Sequence, residues 1–111
     1  MLVTTGPILN NAVNGLRPVH MVTVKIINKS LTQNASISIQ GYVLDQVRTN
    51  YVAEFFNLDP NAVYTNTYQA NVEGYEFEVS ALDNDAIEIS VWGKDASGQL
   101  VSAYRLVSSE L

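Results

Sequence analysis

Cysteine is absent from the 111 residues, and charge is scarce, with Asp, Glu, Lys and Arg together making up 15% of the chain where soluble domains usually carry roughly 25%. Without cysteine there is no disulfide, no thiolate nucleophile and no thiolate metal site, and the redox compartment leaves no trace. The six Lys and Arg stand apart in a chain of net charge −5. A phosphate backbone would find no basic patch to follow, so nucleic acid is excluded as a partner. No run of eighteen apolar residues is present, which excludes a membrane-spanning helix and leaves no expectation of a membrane partner. The N-terminus has no basic n-region, and Gly6, Pro7, Asn10, Asn11 and Asn14 interrupt any apolar h-region, so a classical signal peptide is not expected. Nor does any stretch of a dozen residues keep a period of 3.6, the mark of an amphipathic helix.

What is there is an ordinary apolar fraction of 47% and a polar remainder dominated by Ser, Thr, Asn and Gln. A neutral polar surface approaches another protein without desolvating many ions, which suits assembly better than it explains solubility. The length fits one core and one domain.

From Met21 onward the pattern has period two. Val22, Val24 and Ile26 alternate with Thr23 and Lys25, and in ASISIQGYVLD the set Ala35, Ile37, Ile39, Gly41 and Val43 alternates with Ser36, Ser38, Gln40 and Tyr42. GYEFEVS and AIEISVWG repeat the pattern, while YVAEFFNL is apolar on both faces except at Glu54. AVYTNTYQANV alternates less clearly. LVSAYRLVS allows two inward sets, Val101, Ala103 and Val107 or Leu100, Tyr104 and Leu106. Turn chemistry in NKSLTQN, LDPN, DND and KDASGQ separates these runs roughly every ten residues. The expectation is an all-β fold, an antiparallel β-sandwich or jelly roll of about seven or eight strands, spanning residues 19–111.

Chemistry-bearing residues are few. His20 has no Ser, Cys or carboxylate placed to complete a triad, so no catalytic residue is assigned and an enzyme is not expected. Asp83 and Asp85 in LDNDA have the oxygen chemistry of a Ca²⁺ loop, but such Asx pairs more often cap a turn, and no metal or other cofactor is assigned. Glu73, Glu76, Glu78 and Glu88 are too spread to act as an acid and nucleophile pair, and they fit a role in keeping a β surface soluble. Trp92 and Tyr42 fall on polar strand faces, with Tyr64 and Tyr68 as further candidates. Together they define a candidate surface aromatic patch that could stack on sugar rings or on a protein, beside the plainer role of packing across strands.

Residues 1–18 are read as an extended N-terminal connector. Leu2, Val3, Ile8, Leu9, Val13 and Leu16 give it much apolar surface and no acid, unlike a disordered tail. Gly15 and Pro18 are the expected hinge. Fully extended, fifteen residues reach about 50 Å, enough to add a strand to the parent sandwich or to a neighbour's, and both remain open.

A short N-terminal connector followed by a small sandwich that ends in a WGKDASGQL hairpin resembles the subunits of endospore appendages, the pilus-like fibres of spore-forming bacteria. The resemblance covers the whole chain in layout. It implies jelly-roll subunits that polymerise helically, with the connector of one subunit docked in others and with an anchor and a tip protein as further partners. Known members crosslink through connector cysteines, which this chain lacks, so here docking would be non-covalent. The implied place is a spore surface or extracellular fibre. Two rivals remain, a carbohydrate-binding module and a phage or virus jelly-roll protein.

Overall fold

A computed structural model describes residues 1–82 and 84–108. Where apolar and polar residues alternate most strictly the chain forms strands of eight to ten residues, because alternate side chains then enter one core. In chain order the strands are β1 Leu2–Thr4, β2 Ile8–Leu9, β3 Met21–Asn28, β4 Ala35–Leu44, β5 Arg48–Leu58, β6 Val63–Gln69, β7 Gly74–Leu82, β8 Ile87–Lys94, β9 Leu100–Tyr104 and β10 Val107–Ser108. They build two antiparallel sheets. One has the order β10-β1-β7-β4-β5, with β2 also on β7, and the other has the order β6-β3-β8-β9. Apart from the hairpins β4–β5 and β8–β9 and the β1–β2 run along β7, each connection passes between sheets, the crossing habit of a jelly-roll sandwich.

Val22, Val24 and Ile26 of β3, with Val91 of β8, face Ile37 and Ile39 of β4 and Tyr75, Phe77 and Val79 of β7 in one buried cluster. Full burial of side chains of this size stabilises by about 1.5–3 kcal/mol each. Two glycines make room for rings. A Cβ on Gly41 would lie 2.9 Å from Phe77 Cε2 and from Val52 Cβ, and one on Gly93 would lie 2.6 Å from Tyr104 Oη.

Each end of the sandwich is closed by buried asparagine. At one end Asn28 Nδ2 donates to the carbonyls of Gln33, Leu58 and Asp59, while its Oδ1 accepts from Ser30 N and Asn84 Nδ2. At the other, Asn10 Nδ2 donates to the carbonyls of Val19, Ala70 and Val72 at 2.8–3.0 Å, and Oδ1 accepts from Val19 N. Among the described residues no buried side-chain nitrogen or oxygen lacks a partner.

The last strand settles the choice between the two inward sets. Tyr104 and Leu106 pack on the core, Val101 and Val107 are exposed, and so is Leu100. A register shift between Gly93 and Lys94 turns Leu100 out of the alternation that would have placed it beside Tyr104.

Candidate assembly site

The connector does not hang free of the sandwich. Leu2, Val3 and Thr4 pair antiparallel with Ser80, Val79 and Glu78 of β7, and β10 closes the outer side of β1. The N-terminal amine donates to the Ala81 carbonyl at 3.0 Å, and Ala81 N donates to the Met1 carbonyl at 2.9 Å. Ile8 and Leu9 then pair with Tyr75 and Gly74. Between the two paired runs three connector residues oppose two residues of β7, and the extra residue is absorbed where Gly6 takes φ +67°, a left-handed turn open to glycine. Thr5 holds this bulge, its N–H donating to the Phe77 carbonyl and its hydroxyl oxygen accepting from Phe77 N.

The six candidate connector residues divide into two groups. Val3 and Ile8 pack on the core and Leu2 is half-buried, whereas Leu9, Val13 and Leu16 are 80%, 65% and 69% exposed. The reason lies in Val13-Asn14-Gly15-Leu16. Asn14 and Gly15 have φ of 52° and 80°, and Val13 and Leu16 exchange both backbone hydrogen bonds, 2.7 and 3.0 Å long. This is the two-residue hairpin with both central residues left-handed that Asn-Gly favours. Gly15 is therefore the fixed corner of a small hairpin and not the swivel expected of it. Pro18 is exposed beside the buried Val19, where Asn10 ties the two ends of the hairpin segment together. The register of Leu44 with Arg48 and of Leu9 with Gly74 puts exposed Val47 at the same end of the sandwich, so that end carries Leu9, Val13, Leu16 and Val47.

The four aromatics proposed as one patch lie apart. Trp92 is on the outer face of the four-stranded sheet, opposite Thr23 and Ala103. Tyr42 is on the outer face of the other sheet, its ring capped by the Arg48 guanidinium at 3.5 Å. Tyr64 and Tyr68 point between the sheets, against the core. They do so because Glu54, an inward carboxylate on β5, gives their hydroxyls an acceptor: Tyr64 Oη and Tyr68 Oη donate to Glu54 Oε2 at 2.7 and 2.8 Å, and Asn66 Nδ2 donates to Oε1 at 3.3 Å. Desolvation first, and the carboxylate second, push the Tyr64 and Tyr68 hydroxyls above the usual phenol range. The aromatic patch is thus not formed. Burial likewise pushes Tyr51 up to about 12. Tyr75, wholly buried and hydrogen-bonded to the Tyr104 hydroxyl, is raised too, chiefly by burial.

Asp85 is exposed, while Asp83 lies outside the described residues. Among the described residues no three His, Asp or Glu side chains come together as metal ligands. Sequence reasoning missed Arg48. It pairs with Glu76 through Nε at 3.1 Å and with Glu78 through Nη2 at 2.6 Å, and Thr4 Oγ1 of the connector donates to the same Glu76 at 2.9 Å. Only the even spacing of the two glutamates, which puts them on one strand face, hinted at this.

The architecture defines an antiparallel β-sandwich protein with an N-terminal strand added to one sheet. No protein-family model and no curated protein matches the chain. Among solved structures, a Thermotoga maritima protein, 1070, is 14% identical over 97% of this chain and 89% of its own, with a TM-score of 0.53. A second, the Anabaena sensory rhodopsin transducer, is 15% identical over 83% of this chain and 88% of its own, with a TM-score of 0.48. At such an identity the likeness to the Thermotoga maritima protein concerns the fold alone.

Proposed function

We propose that the chain is a non-enzymatic structural subunit that assembles into an extracellular or spore-surface fibre, its N-terminal segment docking non-covalently in neighbouring copies. The observation that carries this reading is the division of the connector into a run already docked by strand addition and an apolar hairpin left uncovered. Every copy carries the same β7, whose side away from β4 is covered by its own β1 and β2, so residues 1–10 of one subunit can exchange onto the next subunit's β7 and remake there the hydrogen bonds they make within their own chain. Once the Val13–Leu16 hairpin opens, the segment from Asn11 to Pro18 bridges up to about 25 Å, comparable with the 20 and 30 Å short dimensions of the molecule. Such a head-to-tail contact propagates as a filament where its rotation does not close a ring. Leu9, Val13 and Leu16 are then buried against the neighbour, each contributing about 1.5–3 kcal/mol before ordering costs. The charge-poor surface and the resemblance to endospore appendage subunits point the same way, and that resemblance also supplies an anchor and a tip protein as partners.

The test is electron microscopy of the purified protein beside the triple variant Leu9→Asp, Val13→Asp, Leu16→Asp. These side chains are exposed, so the variant folds with an unchanged circular dichroism spectrum and forms no fibres. Fibres of unchanged form in the variant would overturn the reading.

A further inference from the structure

We infer that the outer face of the six-stranded sheet is a binding groove for a neutral oligosaccharide chain. The inference stands apart from the assembly reading. It begins with side-chain size across four strands. In the paired register Leu2 of β1 lies beside Ser80 of β7, Ser80 beside Ser38 of β4, and Ser38 beside Phe55 of β5. Two apolar walls therefore flank a floor of serines. With strands about 4.8 Å apart the walls stand about 14 Å from each other. Phe55 is 73% exposed, an aromatic ring open to solvent.

The depression continues along the strands. One part, about 520 Å³, runs from Leu2 to Tyr42 and Arg48, and the other, about 510 Å³, runs to Phe55 and Leu82. Ser38 and Ser80 belong to both. From Ser36 to Tyr42 the floor is about 20 Å long, the reach of a short oligosaccharide. The volumes fall within the range of small-molecule sites.

The chemistry of the lining selects the ligand. Sugar rings carry apolar C–H faces and hydroxyl rims. Phe55, Leu82 and Leu2 suit the faces, while the Ser38 and Ser80 hydroxyls, which have no protein partner among the described residues, suit the rims. At the far end Arg48 is held between Glu76 and Glu78, whose side chains are only 16% and 12% exposed, and over the Tyr42 ring. These are fixed donors and acceptors that lose little freedom on binding. Two carboxylates against one guanidinium leave a single negative charge in the groove, which repels acidic sugars. A peptide strand is the poorer match, because the groove lies on a sheet face where no backbone groups are free to pair.

The test is a nuclear magnetic resonance titration of the purified protein, or of the triple variant should the native chain polymerise, with cellotetraose, chitotetraose and tetragalacturonate. Either neutral tetramer should shift amides of β1, β4 and β7 with a Kd of about 0.1–1 mM, and the acidic tetramer should not. Phe55→Ala and Ser38→Leu, both on the solvent face, should each weaken binding about tenfold, or 1.4 kcal/mol, with the fold unchanged. No shift with either neutral tetramer at about 10 mM, shifts centred on Trp92, equal binding of the acidic tetramer, or indifference to both substitutions would each overturn the inference. So would loss of fibres from Ser38→Leu in an otherwise native chain that binds neither sugar, which would make this face a subunit contact.

Discussion

Asn10 shows how much one amide can hold. It makes four hydrogen bonds to two segments, Val19 and the turn at residues 70–72, that otherwise meet only at the sandwich end, and it is buried. Asn10→Leu strands several of those backbone groups without partners, at a cost of about 2–4 kcal/mol. A lowered urea midpoint with an unchanged slope is the expected result. A Cβ at Gly41 meets the Phe77 ring and Val52, so Gly41→Ala should cost about 1–3 kcal/mol by overpacking, read from the same denaturation curves. Neither asparagine nor tyrosine announced its place in the sequence. Asn10 sits in Leu-Asn-Asn-Ala, which looks like a loop, and its burial depends on carbonyls 60 residues away. Tyr64 and Tyr68 share a face with Asn66, so hydropathy could not say which side was inward; Glu54, on another strand, decides it.

Among the elements, the strands with clean alternation were legible, because β4 and β7 bury every second residue and leave those between mostly half-buried, and β3 buries Val22, Val24 and Ile26 around an exposed Lys25. Their pairing order was not, since any alternating strand can pair with any other until turns and bulges fix register. The Asn14-Gly15 hairpin is legible as a dipeptide, but Gly15 reads there as a hinge, because a two-residue ladder is too short to show as a strand. Gly15 has no atom within reach of an added Cβ, yet its φ is 80°. Gly15→Val should therefore strain the hairpin by about 1–2 kcal/mol without touching the core. The expected signature is loss of the Val13–Leu16 cross-strand proton contacts with an unchanged hydrophobic core, seen by nuclear magnetic resonance.

At the scale of the whole molecule, four tyrosines, at positions 51, 64, 68 and 75, hold their protons more tightly in the fold than in the open chain. An unfolded tyrosine ionises near pH 10. Below that pH the contribution is fully present, and it is lost as pH rises from about 10 through the raised folded values. Buried Tyr75 alone removes about 1.4 kcal/mol per pH unit in that window. The expected result is a melting temperature insensitive to this effect below about pH 10 that falls steeply above it. Phenolate absorbance at 295 nm should rise together with unfolding; a melting temperature flat through pH 11.5 would contradict the assignment.

The β1–β7 pairing also has a mechanical side. Backbone hydrogen bonds between antiparallel strands lie across the strand direction, so tension applied to Leu2–Thr4 along β7 loads the ladder bonds and the Met1–Ala81 pair in shear, all at once. A pull at right angles, away from the sheet, peels them one after another. In a polymer joined through this segment, lengthwise stretch meets concerted resistance while a sideways tug meets one bond at a time, so the joint is strong along its axis and easily opened from the flank.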